Sequence, residues 1–341
     1  MQGMKIKNAP RHLLNLLDLG KDEVSALLKR TKTLKREQKL GKSHQPLLGK
    51  SLGMIFEKKS TRTRVSFEVG IFQLGGQAIY LSPEHMQLGR GELLKDTARV
   101  LSRYLDGIIV RGNRHADLEE LAKWSSVPVI NALTDLYHPC QILSDLFTIK
   151  SAGVKLEKMK LAFIGDPNNV FNDWVNACAL LGFELRLASP PGYQPDPRIL
   201  KSARKAGPLN LKNFNDPGLA VKTADVLYTD VWVSMGQEKE MRKRLKDFQG
   251  YQINRNLLNK VGKKALVLHC LPAHPGQEIS EEVFENHAGI IFEQAENRLH
   301  TQKAILEFFI KSRGAACRAR AGQMTGLGRA SPALTKPEQG K

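Results

Sequence analysis

The feature that most constrains this chain is a rhythm. Short apolar runs, each suited to one buried strand, alternate with stretches whose apolar positions fall at helical spacing. In the first half the runs are residues 51–56, 78–81, 106–111 and 127–131. After a linker at 155–160 the rhythm restarts, with runs at 161–166, 184–188, 225–228 and 265–268. Strand–helix alternation joins parallel strands by crossover helices, and a restart implies a second sheet. The expected fold is therefore α/β: two similar open parallel-sheet domains with the active site in the cleft between them. The expected boundaries are 1–152 for the first domain, completed by a last helix at 299–312, and 153–298 for the second. Residues 313–341 have no apolar period and are expected to be a disordered tail.

In open parallel sheets, ligands sit beyond the carboxyl ends of the strands. The polar residues found there are the candidate site. Ser60-Thr61-Arg62-Thr63-Arg64 follows the first run and opens a helix, where unpaired N–H groups and the dipole favour an anion. The three hydroxyls add donors, and the guanidinium of Arg62 can grip two phosphate oxygens at once. Each charged hydrogen bond contributes about 1.5–3 kcal/mol. An ordinary N-cap on a solvated basic helix is the competing reading. Arg111 ends the third run, where a surface ion pair would explain it equally well. His138-Pro139-Cys140-Gln141 starts a helix with Pro at its first position, so His138 and Gln141 can face one ligand; a plain capping histidine is the alternative. Gln87 lies in a glycine-containing loop, a common place for function.

In the second half, Asp230 stands at a strand end before Ser234-Met235-Gly236, a carboxylate suited to an ammonium group. His269-Cys270 could signal a cysteine nucleophile, but adjacent strand residues point to opposite faces, which weakens a dyad. Gly165-Asp166-Pro167-Asn168 lacks the glycine fingerprint of a dinucleotide site.

Composition narrows the partners. The formal net charge is +18, and residues 311–341 hold seven Lys/Arg against one acid, Glu338. Such a balance suits anionic partners. Zinc-finger spacing, an RNP-like aromatic motif and a basic zipper are all missing, which favours anionic metabolites over nucleic acid. Four scattered cysteines without a C-x-x-C pair indicate neither a disulfide framework nor zinc. The first twenty residues lack a signal-peptide core and make a poor transit peptide, and no apolar run reaches membrane-spanning length. A cytoplasmic location is expected.

Taken together and in order, these motifs resemble the carbamoyltransferase family. Ser60-Thr61-Arg62-Thr63-Arg64, Arg111, His138-Pro139-x-Gln141 and His269-Cys270-Leu271-Pro272 match its signatures, and Asp230-x-x-x-Ser234-Met235-Gly236 matches its ornithine branch. The resemblance runs from about residue 10 to 312 and leaves the tail outside. It implies transfer of the carbamoyl group of carbamoyl phosphate to the side-chain amine of L-ornithine, in arginine biosynthesis, without metal or organic cofactor. It further implies that Ser60, Thr61, Arg62, Thr63 and Arg111 hold the phosphate. The His138-Pro139-Cys140-Gln141 turn would address the carbamoyl end, with Cys270, Leu271 and Arg298 closing over it. Gln87 would reach a neighbouring subunit's site, implying a homotrimer. Asn169, Asp230, Ser234 and Met235 would bind ornithine, with Asp230 and Cys270 handling protons. One departure stands out: many relatives carry His-Ser where this chain has Asn172-Asp173. Rival readings are a sister transferase using putrescine or an acylated ornithine, and a non-catalytic binding relative.

Overall fold

The computed structural model describes residues 10–82, 92–234 and 238–324. Its two sheets are wholly parallel. The first runs β2-β1-β3-β4, from β1 (Ser51–Phe56), β2 (Gln77–Leu81), β3 (Gly107–Arg111) and β4 (Val129–Leu133). The second runs β7-β6-β5-β8-β9, from β5 (Lys160–Ile164), β6 (Glu184–Ala188), β7 (Leu211–Phe214), β8 (Val226–Thr229) and β9 (Leu266–His269).

The helices are α1 (Lys21–Lys39), α2 (Thr61–Gln73), α3 (Leu94–Tyr104), α4 (His115–Trp124), α5 (Pro139–Ser151) and α6 (Asn169–Leu181). They continue with α7 (Pro197–Ala206), α8 (Pro217–Ala220), α9 (Met241–Asp247), α10 (Arg255–Asn259), α11 (Glu281–Asn286) and α12 (Ala288–Met324).

Both sheets reverse their strand order at an inner pair. In the first, β1 feeds α2 and β2 on one side while β3 lies on the other; in the second, β5 feeds α6 and β6 on one side while β8 lies on the other. A crevice opens at the carboxyl end of such a pair. Here the two crevices hold the start of α2 with Arg111, and the start of α6 with Asp230. Gly165 makes the second possible, since its φ of +139° turns the chain sharply after β5.

One apolar core joins the halves. Phe163 stacks on Tyr228 and meets Phe171 edge-on, while Trp174 meets Tyr228. Helix α5 is buried from Pro139 through Ile149 and packs against α1, α6 and α12. Helix α12 lies on α1, α2 and α5 and also reaches β9.

Three local expectations need correction. The last helix begins at Ala288 rather than near Leu299, so Arg298 lies within the helix. It also continues past Ile310 to Met324, into the segment expected to be disordered. Ala315, Ala316, Ala319 and Ala321 explain this, because alanine is the best helix former and no proline intervenes. Strand β4 starts at Val129, after Pro128, which has no N–H for the ladder and offers only its carbonyl to Ile108. No helix among the described residues is long and apolar enough to cross a membrane.

Candidate active site

A cleft of about 900 Å³ lies between the two sheets, lined from both sides. On the first side the chain leaves β1 through Lys58 and Lys59 and enters α2 at Ser60. Ser60 is the N-cap: its Oγ accepts from the Thr63 N–H at 3.3 Å, which leaves the hydroxyls of Ser60 and Thr61 and the guanidinium of Arg62 at the cleft wall. Thr63 is buried beneath them. Its Oγ1 accepts from Arg298 Nη2 at 2.8 Å and from Arg111 Nη1 at 3.4 Å. Arg298 also donates through Nη1 to Gln141 Oε1 at 3.0 Å, and the amide nitrogen of Gln141 donates to Asp145 at 2.8 Å. Asp145 is fully buried and accepts from Tyr228 and Gln294 as well, so it ties the floor of the cleft to the second sheet.

This side carries more positive charge than it neutralises. Arg111 and Arg298 are buried, and the Nε of each has no hydrogen-bond partner among the described residues. Burial, with Arg298 and Arg62 nearby, pushes the Arg111 guanidinium down to about 10, still charged at neutral pH. Burial also lowers Arg298 and Arg62. Buried like charges with spare donors are stabilised by an anion. Beside them His138, the N-cap of α5, is buried with its Nδ1 unpartnered among the described residues. Burial and the two neighbouring arginines hold it well below the usual histidine range, so it is neutral.

On the other side Asp230 follows β8. Its carboxylate accepts from Asn168 Nδ2 at 2.6 Å and from the Val231 N–H at 2.8 Å. The following loop, with Ser234 at the cleft, is held from behind by Arg244. That side chain pairs with Asp166 at 3.0 Å and donates to the Trp232 carbonyl at 3.1 Å. Cys270 and Leu271 come in from the end of β9. Leu271 has a left-handed φ of +58°, sustained by its N–H donating to His269 Nδ1 at 2.9 Å. Since Nδ1 accepts, Nε2 of His269 carries the hydrogen and donates to buried Glu278 at 3.0 Å. Burial first, and Asp230 second, push the Cys270 thiol well above its usual range, so it is protonated. Asp230, His269 and Cys270 present atoms within 4.8 Å of one another, the one trio of this kind among the described residues. With both imidazole nitrogens engaged, His269 offers neither a free metal ligand nor a base for the thiol.

A cationic wall facing a carboxylate is one way to hold an acyl phosphate opposite an amine. Residues 11–151 match the carbamoyl-P binding domain of the aspartate/ornithine carbamoyltransferases, and 157–309 match their Asp/Orn binding domain. The chain belongs to the aspartate/ornithine carbamoyltransferase family. The ornithine carbamoyltransferase of Methanoculleus marisnigri is 51% identical over 296 residues, 87% of this chain and 96% of that protein. The ornithine carbamoyltransferase structure from Pyrococcus furiosus superimposes with a TM-score of 0.84 at 46% identity, covering 89% of this chain and 97% of that one. The anabolic enzyme of Campylobacter jejuni gives 0.83 at 45%, covering 88% and 98%.

Against this carbamoyltransferase frame the sequence expectations divide clearly. Ser60, Thr61, Arg62, Thr63, Arg111, His138, Gln141, Asn169, Asp230, Ser234, Cys270, Leu271 and Arg298 all line one cleft. Pro139 and Cys140 do not. They point into the core, where the Cys140 thiol donates to the Asn131 carbonyl at 3.3 Å, because positions one and two of α5 turn away from the face that carries His138 and Gln141. Gln87 and Met235 lie outside the described residues. Asn169 is at the cleft, but its amide nitrogen already donates to the Thr134 carbonyl at 2.7 Å. Lys58, Lys59, Asn168 and Arg244 also line the cleft and were not among the residues expected there. The two lysines were in plain view beside Ser60, whereas Asn168 and Arg244 act through partners dozens of residues away.

Proposed function

We propose that this protein transfers the carbamoyl group of carbamoyl phosphate to the side-chain amine of L-ornithine, giving L-citrulline and phosphate. The observation that carries the reading is the charge division of the cleft: three guanidiniums on one wall, two of them (Arg111 and Arg298) with a buried Nε that has no partner among the described residues, and Asp230 on the other. Residues 1–152 with the part of α12 from residue 299 onward form the carbamoyl-phosphate domain, and 153–298 form the ornithine domain.

Ser60, Thr61, Arg62, Thr63 and Arg111 take the phosphate, while neutral His138 and Arg298 polarise the carbamoyl oxygen. Asn169, Asp230, Ser234 and Met235 take ornithine. As the amine attacks, charge builds on the carbonyl oxygen and then on the departing phosphate, both facing donors already in place. Asp230 receives the amine's proton, with the protonated Cys270 thiol hydrogen-bonded to it. Orientation and charge stabilisation supply the acceleration.

The working form is a homotrimer placed in the cytoplasm, in arginine biosynthesis. Supporting the trimer, the outer face of α2 exposes Val65, Val69 and Phe72 beside Ile79 and Tyr80 on the edge strand β2, and Phe72 is 78% exposed. Adjoining apolar groups of this kind mark an association surface. The free thiols of Cys140, Cys178 and Cys270 support a reducing compartment.

The test is citrulline formation by the purified protein, with putrescine and acetylornithine assayed in parallel. Ornithine should be the preferred acceptor. Faster turnover of either rival would overturn the acceptor, and no turnover of any would overturn the reaction.

A further inference from the structure

Helix α6 is buried along nearly its whole length, yet it carries Asn169, Asn172, Asp173 and Asn176 at positions i, i+3, i+4 and i+7. Buried polar groups require partners. Three of these side chains find theirs on the backbone of 134–138, in the other half of the molecule. Asn169 Nδ2 donates to the Thr134 carbonyl at 2.7 Å, Asn172 Nδ2 donates to the Leu136 carbonyl at 3.0 Å, and Asp173 Oδ2 accepts from the His138 N–H at 2.7 Å. The other oxygen, Oδ1, accepts from the Leu16 N–H at 3.1 Å and from Asn176 at 2.9 Å. Asp173 is fully buried and pairs with no cation among the described residues. The backbone it grips ends at His138, whose ring lines the cleft.

We propose that this face of α6, anchored by Asp173, is a positioning device that sets His138 against the carbamoyl group and couples its placement to the ornithine side of the cleft. The proposal rests on the carbamoyl-transfer reading above. Asp173 is a positioning residue and touches no substrate; it acts through the His138 backbone. The same helix is N-capped by Asn168, which holds Asp230, so the α6 segment reaches both walls. This gives the Asn172-Asp173 departure a physical role.

Burial without a counter-ion pushes Asp173 up to about 7. The titratable groups around it are Asp18 on the turn after Leu16, and Tyr137, His138 and Cys140 at the start of α5. Tyr137 and Cys140 are pushed up to about 12 and His138 is held well down, so these three keep one protonation state across the neutral range. Asp18 is present in wild type and variant, and its charge opposes that of Asp173 only in the wild type.

The test is Asp173→Asn, which keeps the shape but turns one accepting oxygen into a donor, so that either His138 or Leu16 loses its acceptor. At pH 8, kcat for citrulline formation should fall about tenfold to a hundredfold. The KM for ornithine and the Kd for inorganic phosphate should stay within about twofold. At pH 6, where the wild-type carboxyl is itself mostly protonated, the gap in kcat should close to a few-fold. Stability should move the other way. A carboxyl whose folded pKa is raised loses stability as pH rises towards that value, so the variant's Tm should gain on wild type between pH 6 and 8. Wild-type kcat at pH 8, or kcat and Tm falling together at every pH, would overturn the proposal. Should Asp173→Asn fail to fold, Asn172→Ala carries the test without touching the charge. It should lower kcat several-fold with phosphate binding unchanged, and an unchanged kcat overturns the proposal. A wild-type protein that forms no citrulline would instead overturn the reading of the site.

Discussion

The wall built on the first sheet holds Arg62, Arg111 and Arg298 together with spare donors, whereas the wall built on the second holds Asp230 with both carboxylate oxygens already hydrogen-bonded. The first wall is electrostatically incomplete without a ligand: its buried guanidiniums repel one another, and burial alone opposes their charge. The second is satisfied by its own neighbours and can accept an ammonium group with little rearrangement. The anion side therefore stores binding energy in unfavourable charge, and the amine side relies on preformed geometry. Mutations on the two walls should differ in kind as well as in size.

The largest expected effect is that of Arg111→Met. Losing two charge-assisted bonds of about 1.5–3 kcal/mol each should lower kcat/KM for carbamoyl phosphate by roughly two to four orders of magnitude. Its Tm should hold steady or rise, since a desolvated like charge leaves the neighbourhood of Arg298. A marked loss of Tm alongside the loss of activity would show that the arginines hold the fold together, and the contrast between the walls would fail.

Asp230→Asn is the matching change opposite. One charged contact to the amine and the acceptor of its proton are lost, so kcat/KM for ornithine should drop about a hundredfold to a thousandfold. Stabilisation by inorganic phosphate, read as the rise in Tm on adding it, should be unchanged. If phosphate no longer stabilises this variant, the walls are not independent.

How far these walls could be read in advance depended on where each residue's partner lies. The strands were legible because parallel strands buried on both faces are continuous apolar runs. Strand β7, Leu-Lys-Asn-Phe at the sheet margin with partly exposed residues, carries no such run and was not legible. The anion wall was plain because its residues cluster at a strand end and helix start. Pro139 and Cys140 do not line the cleft because a helical start turns successive side chains to different sides, which a motif written as a string conceals. Asp173 was not legible as a functional residue, because the groups it holds, Leu16 and His138, are fixed only by tertiary packing. A polar stripe on a buried helix was nonetheless visible at i, i+3, i+4 and i+7, and such a stripe demands partners.

The pH dependence should separate the walls again. The arginines stay charged and His138 is held neutral, so the groups facing the anion do not titrate between pH 7 and 9, and Asp173 behind them, at about 7, adds a change of at most about twofold. The amine does. With a side-chain pKa near that of lysine, about 10.4, its neutral fraction rises roughly tenfold per pH unit, and kcat/KM for ornithine should follow. A profile flat or falling from pH 7 to 9 would mean that the amine is not the titrating reactant.

The smallest effect is expected at Cys270, and its size decides what the thiol does. Burial and Asp230 keep it protonated, and both nitrogens of His269 are taken by Leu271 and Glu278, so the imidazole does not stand ready to make a thiolate. The thiol's remaining role is to hydrogen-bond Asp230, a weak contact because sulfur is a poor donor. Cys270→Ala should therefore lower kcat by only about twofold to tenfold, with the phosphate-dependent rise in Tm intact. Alkylation by iodoacetamide at pH 7 should be slow, since the thiolate is the nucleophile. A loss beyond about a hundredfold could not come from one neutral hydrogen bond; it would place a proton transfer on the thiol and give the amine wall a second titrating group.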